Sequence, residues 1–437
     1  VKVAVVVQRY GPDINGGAEL HARYIAEHLA RHADVEVLTT CATDYVTWRN
    51  ERPTGVETIN GVPVRRFRVK RERDPDGFGR RSEHVFEERH SIRDELAWID
   101  AEGPTSRSLI QFITRRAAEY DYFLFFSYRY YHAYHGARAA APRAVLVPTA
   151  ERDEAIGLAI FKPLFRGVRG VMYNSPEERA MIHAVSGNHE VPGIVVGVGS
   201  DVPNNPQSNR FRQKYNVRSP FAVYVGRIDQ NKGCNELFEF FQGYLRDVSG
   251  KLSLILIGNS LLPIPQHPRI RHLGFVDDAD KFDAMAAADV LIMPSYFESL
   301  SMVALEAWAL SKAVLVNGKC DVLKGQCIRS NAGLFYEGYA EFAETLHAIE
   351  ANRWLAAALG RNGRQFFRES YDWSVIERKY LDMFERLKTE APKRTMEPLP
   401  GWLERRRRHV PAAKDVVANL PVGPADGELR GDARRRA

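Results

Sequence analysis

The chain has 437 residues, 45% of them hydrophobic, and a formal charge of +6. That length is too great for one ordinary domain and comfortable for two, and the hydrophobic content excludes a disordered or collagen-like chain. The charge is uneven: from Ala391 to Ala437 there are 11 Lys or Arg against 6 Asp or Glu, so this stretch carries +5 and the rest of the chain about +1. A nearly neutral body is not the footprint of a nucleic-acid-binding protein.

The stretch 392–437 reads as a basic, disordered, solvated tail, the alternative being peripheral contact with an anionic membrane surface. The longest apolar runs, such as Val3–Val7 and Val290–Met293, have strand length and fall short of a membrane span. With no recognisable signal peptide, the expected compartment is the cytoplasm, peripheral to the inner membrane surface where the tail engages it. Cys41, Cys234, Cys320 and Cys327 lack metal-ligand or CxxC spacing and read as buried free thiols. No metal and no cofactor is expected.

In chain order, Val3–Val7 is a buried-strand run, followed by the loop Gln8–Gly17 and a helix marked by Ala22, Ile25, Ala26 and Leu29 at i, i+3, i+4, i+7. Strands are predicted at Val35–Leu38, Val64–Phe67, Tyr122–Phe126 and Ala144–Val147. The charged stretch Arg65–Arg93 reads as a loop plus a surface helix. Within it, Asp74-Pro75-Asp76-Gly77 reads as a turn rather than a metal-binding DxD.

A second unit opens at Val171, where Ser175-Pro176-Glu177-Glu178 carries a capping box with Pro at the first helical position. Its strands are predicted at Phe221–Val225, Leu252–Ile257, Val290–Met293 and Ala313–Val316. Strand and helix alternate in both halves, which predicts an α/β protein of two facing Rossmann-like domains with parallel sheets and a cleft between them. The expected division is an N-terminal domain over 1–170, a C-terminal domain over 171–375, a helix over 376–391 crossing back to the first domain, and the tail.

Two stretches carry chemistry. Pro294-Ser295-Tyr296-Phe297-Glu298-Ser299-Leu300-Ser301 follows a strand and opens a helix that includes Glu306. Unpaired amides near Ser299, Leu300 and Ser301 would form an anion site at the helix start. Glu298 and Glu306, about 12 Å apart if helical rise held throughout, would bind hydroxyls on either side of that anion. Glu306 lies among Ala304, Leu305, Ala307 and Trp308, where an idle carboxylate is costly. In Gly226-Arg227-Ile228-Asp229-Gln230-Asn231-Lys232-Gly233, two cations share one glycine-bounded loop and can converge on a diphosphate.

Together these motifs resemble glycosyltransferase family 4, over about residues 1 to 390. The resemblance implies a GT-B fold, a nucleotide-diphosphate sugar as donor, and retention of anomeric configuration without a metal. Arg227, Lys232 and Glu298 would be the catalytic residues. Asn15-Gly16-Gly17 resembles the glycine-rich loop that approaches the donor phosphates. Leu273-Gly274-Phe275-Val276 resembles the segment that meets the base, and Tyr371-Asp372-Trp373-Ser374 the closing motif. Gly16, Gly17, Gly226, Val276, Ser299, Leu300 and Glu306 are thereby the expected donor-binding residues.

One departure concerns Ala150-Glu151-Arg152-Asp153-Glu154, in which Arg152 is read as standing where many relatives have a sugar-facing His. An Arg donates hydrogen bonds but accepts no proton. Arg152, Asp153 and Glu154, with His132 and His135 from the aromatic run Tyr128–Tyr134, are the candidate sugar or acceptor contacts. The acceptor is an unidentified hydroxyl compound, lipid-linked or anionic, of the kind used in surface polysaccharide or glycolipid synthesis. Two alternatives stay open: a nucleotide-sugar-binding protein that has lost catalysis, and a GT-B sugar epimerase. A nicotinamide dehydrogenase fits poorly, because the first loop has no GxGxxG.

Overall fold

The computed structural model describes residues 1–14, 16–391, 396 and 417–419. The chain divides into two compact units, Val1–Glu397 and Pro398–Ala437. Apart from residues 396 and 417–419, the expected basic tail lies outside the described residues.

Within the first unit, eight strands form one sheet: β1 (Lys2–Val6), β2 (Asp34–Thr40), β3 (Gly55–Ile59), β4 (Val62–Phe67), β5 (Tyr122–Phe126), β6 (Ala144–Val147), β7 (Gly170–Tyr173) and β8 (Gly193–Val195). Their order is β3-β4-β2-β1-β5-β6-β7-β8, parallel except for the β3–β4 hairpin. Six more form a second, wholly parallel sheet: β9 (Phe221–Val225), β10 (Ser253–Ile257), β11 (Ile270–His272), β12 (Val290–Met293), β13 (Ala313–Asn317) and β14 (Gly333–Tyr336). Their order is β11-β10-β9-β12-β13-β14. The central strands are apolar along their whole length because helices cover both faces. Val3, Val5, Phe123, Leu124, Val223, Leu291 and Ile292 are all at most 1% exposed.

Each sheet reverses direction at one point. In the first, the chain leaves β1 toward β2 on one side and returns as β5 on the other. In the second, it leaves β9 toward β10 and returns as β12. Loops at the carboxyl ends of the strands flanking such a reversal diverge and leave a crevice. Those loops hold Arg9 to Gly16 and Ser127 to Tyr130 in the first domain, and Gly226 to Gly233 and Pro294 to Ser301 in the second.

The chain bounds differ from the sequence reading in two places. Residues 171–195 were expected in the second domain, but Leu146 pairs with Val171 and Tyr173 with Val195, so β7 and β8 extend the first sheet. The stretch at Asp74 is not a turn. Asp74 precedes a helix, Pro75–Glu87, with Pro75 in its first turn, where a missing N–H costs nothing.

The helix Trp373–Thr389 packs on the first sheet's side through Ile376, Tyr380, Met383, Phe384 and Leu387. Phe384 stacks on Tyr122 at 5.1 Å, and Trp373 lies flat on His28 at 3.6 Å. Trp373 Nε1 also donates to Asp201 on the segment joining the two sheets, at 2.7 Å. Both chain crossings between the domains are thereby pinned together. Among the described residues no helix is long and apolar enough to cross a membrane.

Candidate functional site

The loop after β9 is shaped by glycine at its end. Gly233 has φ +71°, and a Cβ there would lie 2.0 Å from the Pro294 carbonyl oxygen, so the loops after β9 and β12 touch backbone to backbone. Asp229 organises the loop between: its Oδ1 accepts the Lys232 amide at 2.8 Å, and its Oδ2 accepts Arg227 Nε. Lys232 then reaches across and donates from Nζ to Glu298 Oε1 at 2.7 Å. Burial alone would lower the Lys232 ammonium's pKa, but Glu298 and Glu151 more than offset that and hold it at about 12. Arg227 is left 53% exposed, open to a ligand.

The helix carrying Glu306 runs over Met302–Ala309, and Ser301 caps it by accepting the Ala304 amide at 3.2 Å. It therefore begins later than the sequence suggested: its first amides belong to Met302 and Val303, while Leu300 and Ser301 are buried. Ser299 accepts a hydrogen bond from Asn174 Nδ2 at 3.2 Å, which joins this loop to the first domain. Glu306 is 2% exposed; its Oε1 accepts from Ser200 at 3.1 Å and from Lys281 Nζ at 3.2 Å. Its Oε2 is enclosed and has no partner among the described residues. A buried carboxylate with one satisfied and one unspent oxygen is ready to accept from a ligand hydroxyl.

On the first domain's side, Gly16 precedes the helix Gly17–Leu29. A Cβ at Gly16 would lie 2.0 Å from the Glu19 carboxylate, whereas one at Gly17 would meet nothing, so the helix start is open. Glu19 is bound by Arg9 at 2.6 Å. Val276 is partly buried beside Gly274, whose carbonyl accepts the Gly258 amide at 2.8 Å and fixes that segment against β10.

The loop after β6 adds Glu151, a residue outside the sequence candidates. Arg152, 73% exposed on the wall of the cleft, reaches an exposed Asp321 on the second domain's helix Asp321–Ser330 at 2.8 Å. Glu151 instead is the residue that feels Lys232 and Glu298. Burial raises its carboxyl to about 7, with Lys232 opposing and Glu298 and Asp153 adding to the shift. Asp153 is bound to Arg129 and to Tyr128, and caps Ile156, while Glu154 is exposed in the short helix Glu154–Gly157. His132 is fully buried with Nε2 on the Phe126 carbonyl at 2.9 Å, and burial lowers its pKa to about 4. His135 faces Asp100 at 3.1 Å. Neither histidine is directed at Lys232 or Glu298.

Three arginines of the charged stretch Arg65–Arg93 are paired within the first domain. Arg65 pairs with Glu36, Arg66 with Glu57, and Arg73 with Glu102. The cleft itself is lined by Ala150, Arg152 and Glu178 on one side and by Phe297, Glu298 and Cys320 on the other. Asp229, Lys281, Ser200 and Asn174 support the site without having been singled out from sequence. Of these only Asp229 carried a signal, as the acid set between the loop's two cations.

This architecture is known. A sucrose-phosphate synthase from Thermosynechococcus elongatus superposes with a TM-score of 0.66 at 18% identity, covering 89% of this chain and 99% of the other. The Anabaena protein HepE, solved with UDP and glucose, gives 0.63 at 18% identity over 89% and 99%. The fold is thus GT-B, shared with glycosyltransferases. Residues 206–366 match the family described as glycosyl transferases group 1.

Among curated relatives, alpha-maltose-1-phosphate synthase of Mycobacterium tuberculosis is 25% identical over 186 residues, 38% of this chain and 48% of the relative. The capsular polysaccharide biosynthesis glycosyltransferase CapM of Staphylococcus aureus is 24% identical over 202 residues, 42% and 51% respectively. The chain therefore spans about half the length of the curated relatives it matches.

Proposed function

We propose that this protein is a retaining, metal-independent glycosyltransferase of the hexosyltransferase type that moves a sugar from a nucleoside-diphosphate sugar to a hydroxyl acceptor. The observation that carries the reading is the arrangement on the second domain: Lys232 ion-paired to Glu298, Arg227 exposed beside them, and Glu306 buried with one oxygen unspent. Arg227 and Lys232 neutralise the diphosphate as it leaves. Glu298 holds sugar hydroxyls, and Glu306 accepts from the ribose. The open helix start at Gly16 and Gly17 faces the phosphates, and the segment ending at Val276 meets the base. HepE's structure with UDP and glucose supports a nucleotide-sugar donor here too.

The chemistry is electrostatic: charge develops on the leaving diphosphate, and preformed cations stabilise it more than they stabilise the ground state. Before the donor arrives, Lys232 and Glu298 pair with each other in a partly buried place. When it binds, each exchanges that partner for a phosphate or a sugar hydroxyl. The acceptor is a hydroxyl compound docking on the first domain, of the lipid-linked or anionic kind used in surface polysaccharide synthesis. The relatives are named for synthase and transferase activities, so the binding-only and epimerase readings are not favoured.

The reading is tested by incubating the protein with UDP-, GDP-, ADP- and dTDP-linked hexoses and measuring nucleotide release with and without simple sugar acceptors. Release that rises with an acceptor and yields an α-linked product from an α-linked donor supports it. Release of an epimerised free sugar, or none from any donor, contradicts it.

A further inference from the structure

Glu151 is a carboxylate for which the fold of its own loop has no use. The loop is held on both sides of it. The buried Glu178 accepts the Ala150 amide at 2.6 Å and the Asn174 amide at 2.5 Å. Two residues beyond Glu151, Asp153 is bound by Arg129 and by Tyr128. The backbone is aimed by two non-glycine residues in the left-handed region at the ends of adjacent strands, Ser127 (φ +62°) and Thr149 (φ +47°). Their hydroxyls share a hydrogen bond of 2.8 Å. Such conformations are costly and persist where the surroundings over-determine them. Between these anchors, Glu151 itself has no hydrogen-bond or ion-pair partner among the described residues.

Ala150 and Arg152, on either side of Glu151, line the cleft together with Phe297 and Glu298, and the charged groups around Glu151 come from both domains. From the second domain these are Lys232 and Glu298, with the Cys320 thiol beyond them; from the first they are Asp153, Arg129 and Glu178. Resting on the proposed function, Lys232 marks the diphosphate and Glu298 the sugar hydroxyls. The bond that breaks, from the anomeric carbon to the phosphate oxygen, then lies where those two side chains meet. Glu151 faces that meeting point from the opposite domain.

We propose that Glu151 is the carboxylate that stabilises the positive charge developing on the transferred sugar at its anomeric carbon. The division of labour is then electrostatic on both ends of the breaking bond: Lys232 and Arg227 at the departing oxygen, Glu151 at the carbon it leaves. No proton or covalent bond passes through Glu151. It acts only when ionised, and burial, with Glu298 adding, raises its carboxyl to about 7. Activity limited by this group therefore rises with pH through about 7 and levels off above it.

The test uses the full chain with Glu151→Gln and Glu151→Asp, which alter the charge and the reach of the side chain separately. UDP, GDP, ADP and dTDP are titrated first, followed by nucleotide release from the corresponding hexose donors between pH 5.5 and 8.5. The expected result for Glu151→Gln has three parts. Nucleotide binding is no weaker than in the parent, since a carboxylate facing the diphosphate has been removed. Release at saturating donor falls on the order of 10²-fold. The rise through neutral pH disappears. Glu151→Asp keeps that rise and recovers part of the rate. Release by Glu151→Gln within about twofold of the parent, or an unchanged pH profile, overturns the proposal while leaving the donor site intact. A parent that binds no nucleotide and releases none overturns the transferase reading and this proposal with it.

Discussion

On the second domain's face of the cleft, charged groups are settled within two loops and two helices: Asp229 holds Arg227 and the Lys232 backbone, Lys232 holds Glu298, and Lys281 holds Glu306. The first domain's face is built from distant loops. Arg9 and Arg73 both lie over Tyr45 and Trp48, Arg129 lies over Trp98, and Glu102 bridges Arg73 and Arg129. One face is a short, self-contained electrostatic device suited to an invariant ligand part. The other is a mosaic of aromatic rings and neutralised arginines that can change loop by loop. Under the proposed function, the first suits a nucleotide diphosphate and the second an acceptor.

The sharpest way to break this contrast is to remove the cation that links the two loops of the second domain. Lys232→Ala loses a stabiliser of the leaving group and leaves Glu298 unpaired. Nucleotide release is expected to fall by about 10² to 10³-fold, about 2.7–4 kcal/mol, as read from saturating-donor rates. A loss below about tenfold would remove Lys232 from the chemistry.

Acid should act on the first domain before the second. His21 and His132 are fully buried there, and burial lowers their pKa to about 3 and about 4. Unfolded, each takes up a proton near pH 6.5, so the stability they confer is complete above that pH and is lost as pH falls toward the folded values. Each contributes a slope of about 1.4 kcal/mol per pH unit in that window. Urea denaturation at pH 7 and pH 5, followed by tryptophan fluorescence, should show that loss, and replacing both histidines by Phe or Gln should flatten it.

Glu178→Ala strands two buried amides, those of Ala150 and Asn174. The expected cost is about 1–3 kcal/mol per stranded group, seen as a lower Tm. The smallest effect belongs to Arg152→Ala. Its ion pair with Asp321 is exposed, so stability should change by about 0–1 kcal/mol and turnover by less than about twofold. The contrast with Glu151, one residue earlier, separates the side chain that feels Lys232 and Glu298 from the one paired with Asp321.

Much of the second domain was legible because its signals are local. Strand β9, the glycine-bounded loop and the cations within it follow one another in a dozen residues, and each group's partner is a near neighbour in sequence or lies in the next loop. The first domain gave less. Val171-Met172-Tyr173 is visibly a buried strand, but nothing in an apolar run says which sheet it joins, and its pairing with β6 is a tertiary fact. The β3–β4 hairpin was missed although Asn60-Gly61, with φ +48° and +82°, is a strong turn signal; the β3 strand is exposed and too polar to stand out.

The helix at Met302 begins after Ser301, later than the amides near Ser299 suggested, with Leu300 drawn into the core. Similarly, Asp74-Pro75 fits a turn and a helix start equally well, and packing on the helix Ile92–Glu102 favours the helix.

The central claim is that the second domain's face holds a nucleoside diphosphate. Thermal-shift titration with UDP, GDP, ADP and dTDP on the parent, Glu306→Ala and Arg227→Ala tests it most directly, since a ligand that binds only the folded state raises Tm by mass action. The predicted result is a rise in Tm with one of these nucleotides that is lost in both variants. A parent indifferent to all four, or a shift that survives both substitutions, would contradict it.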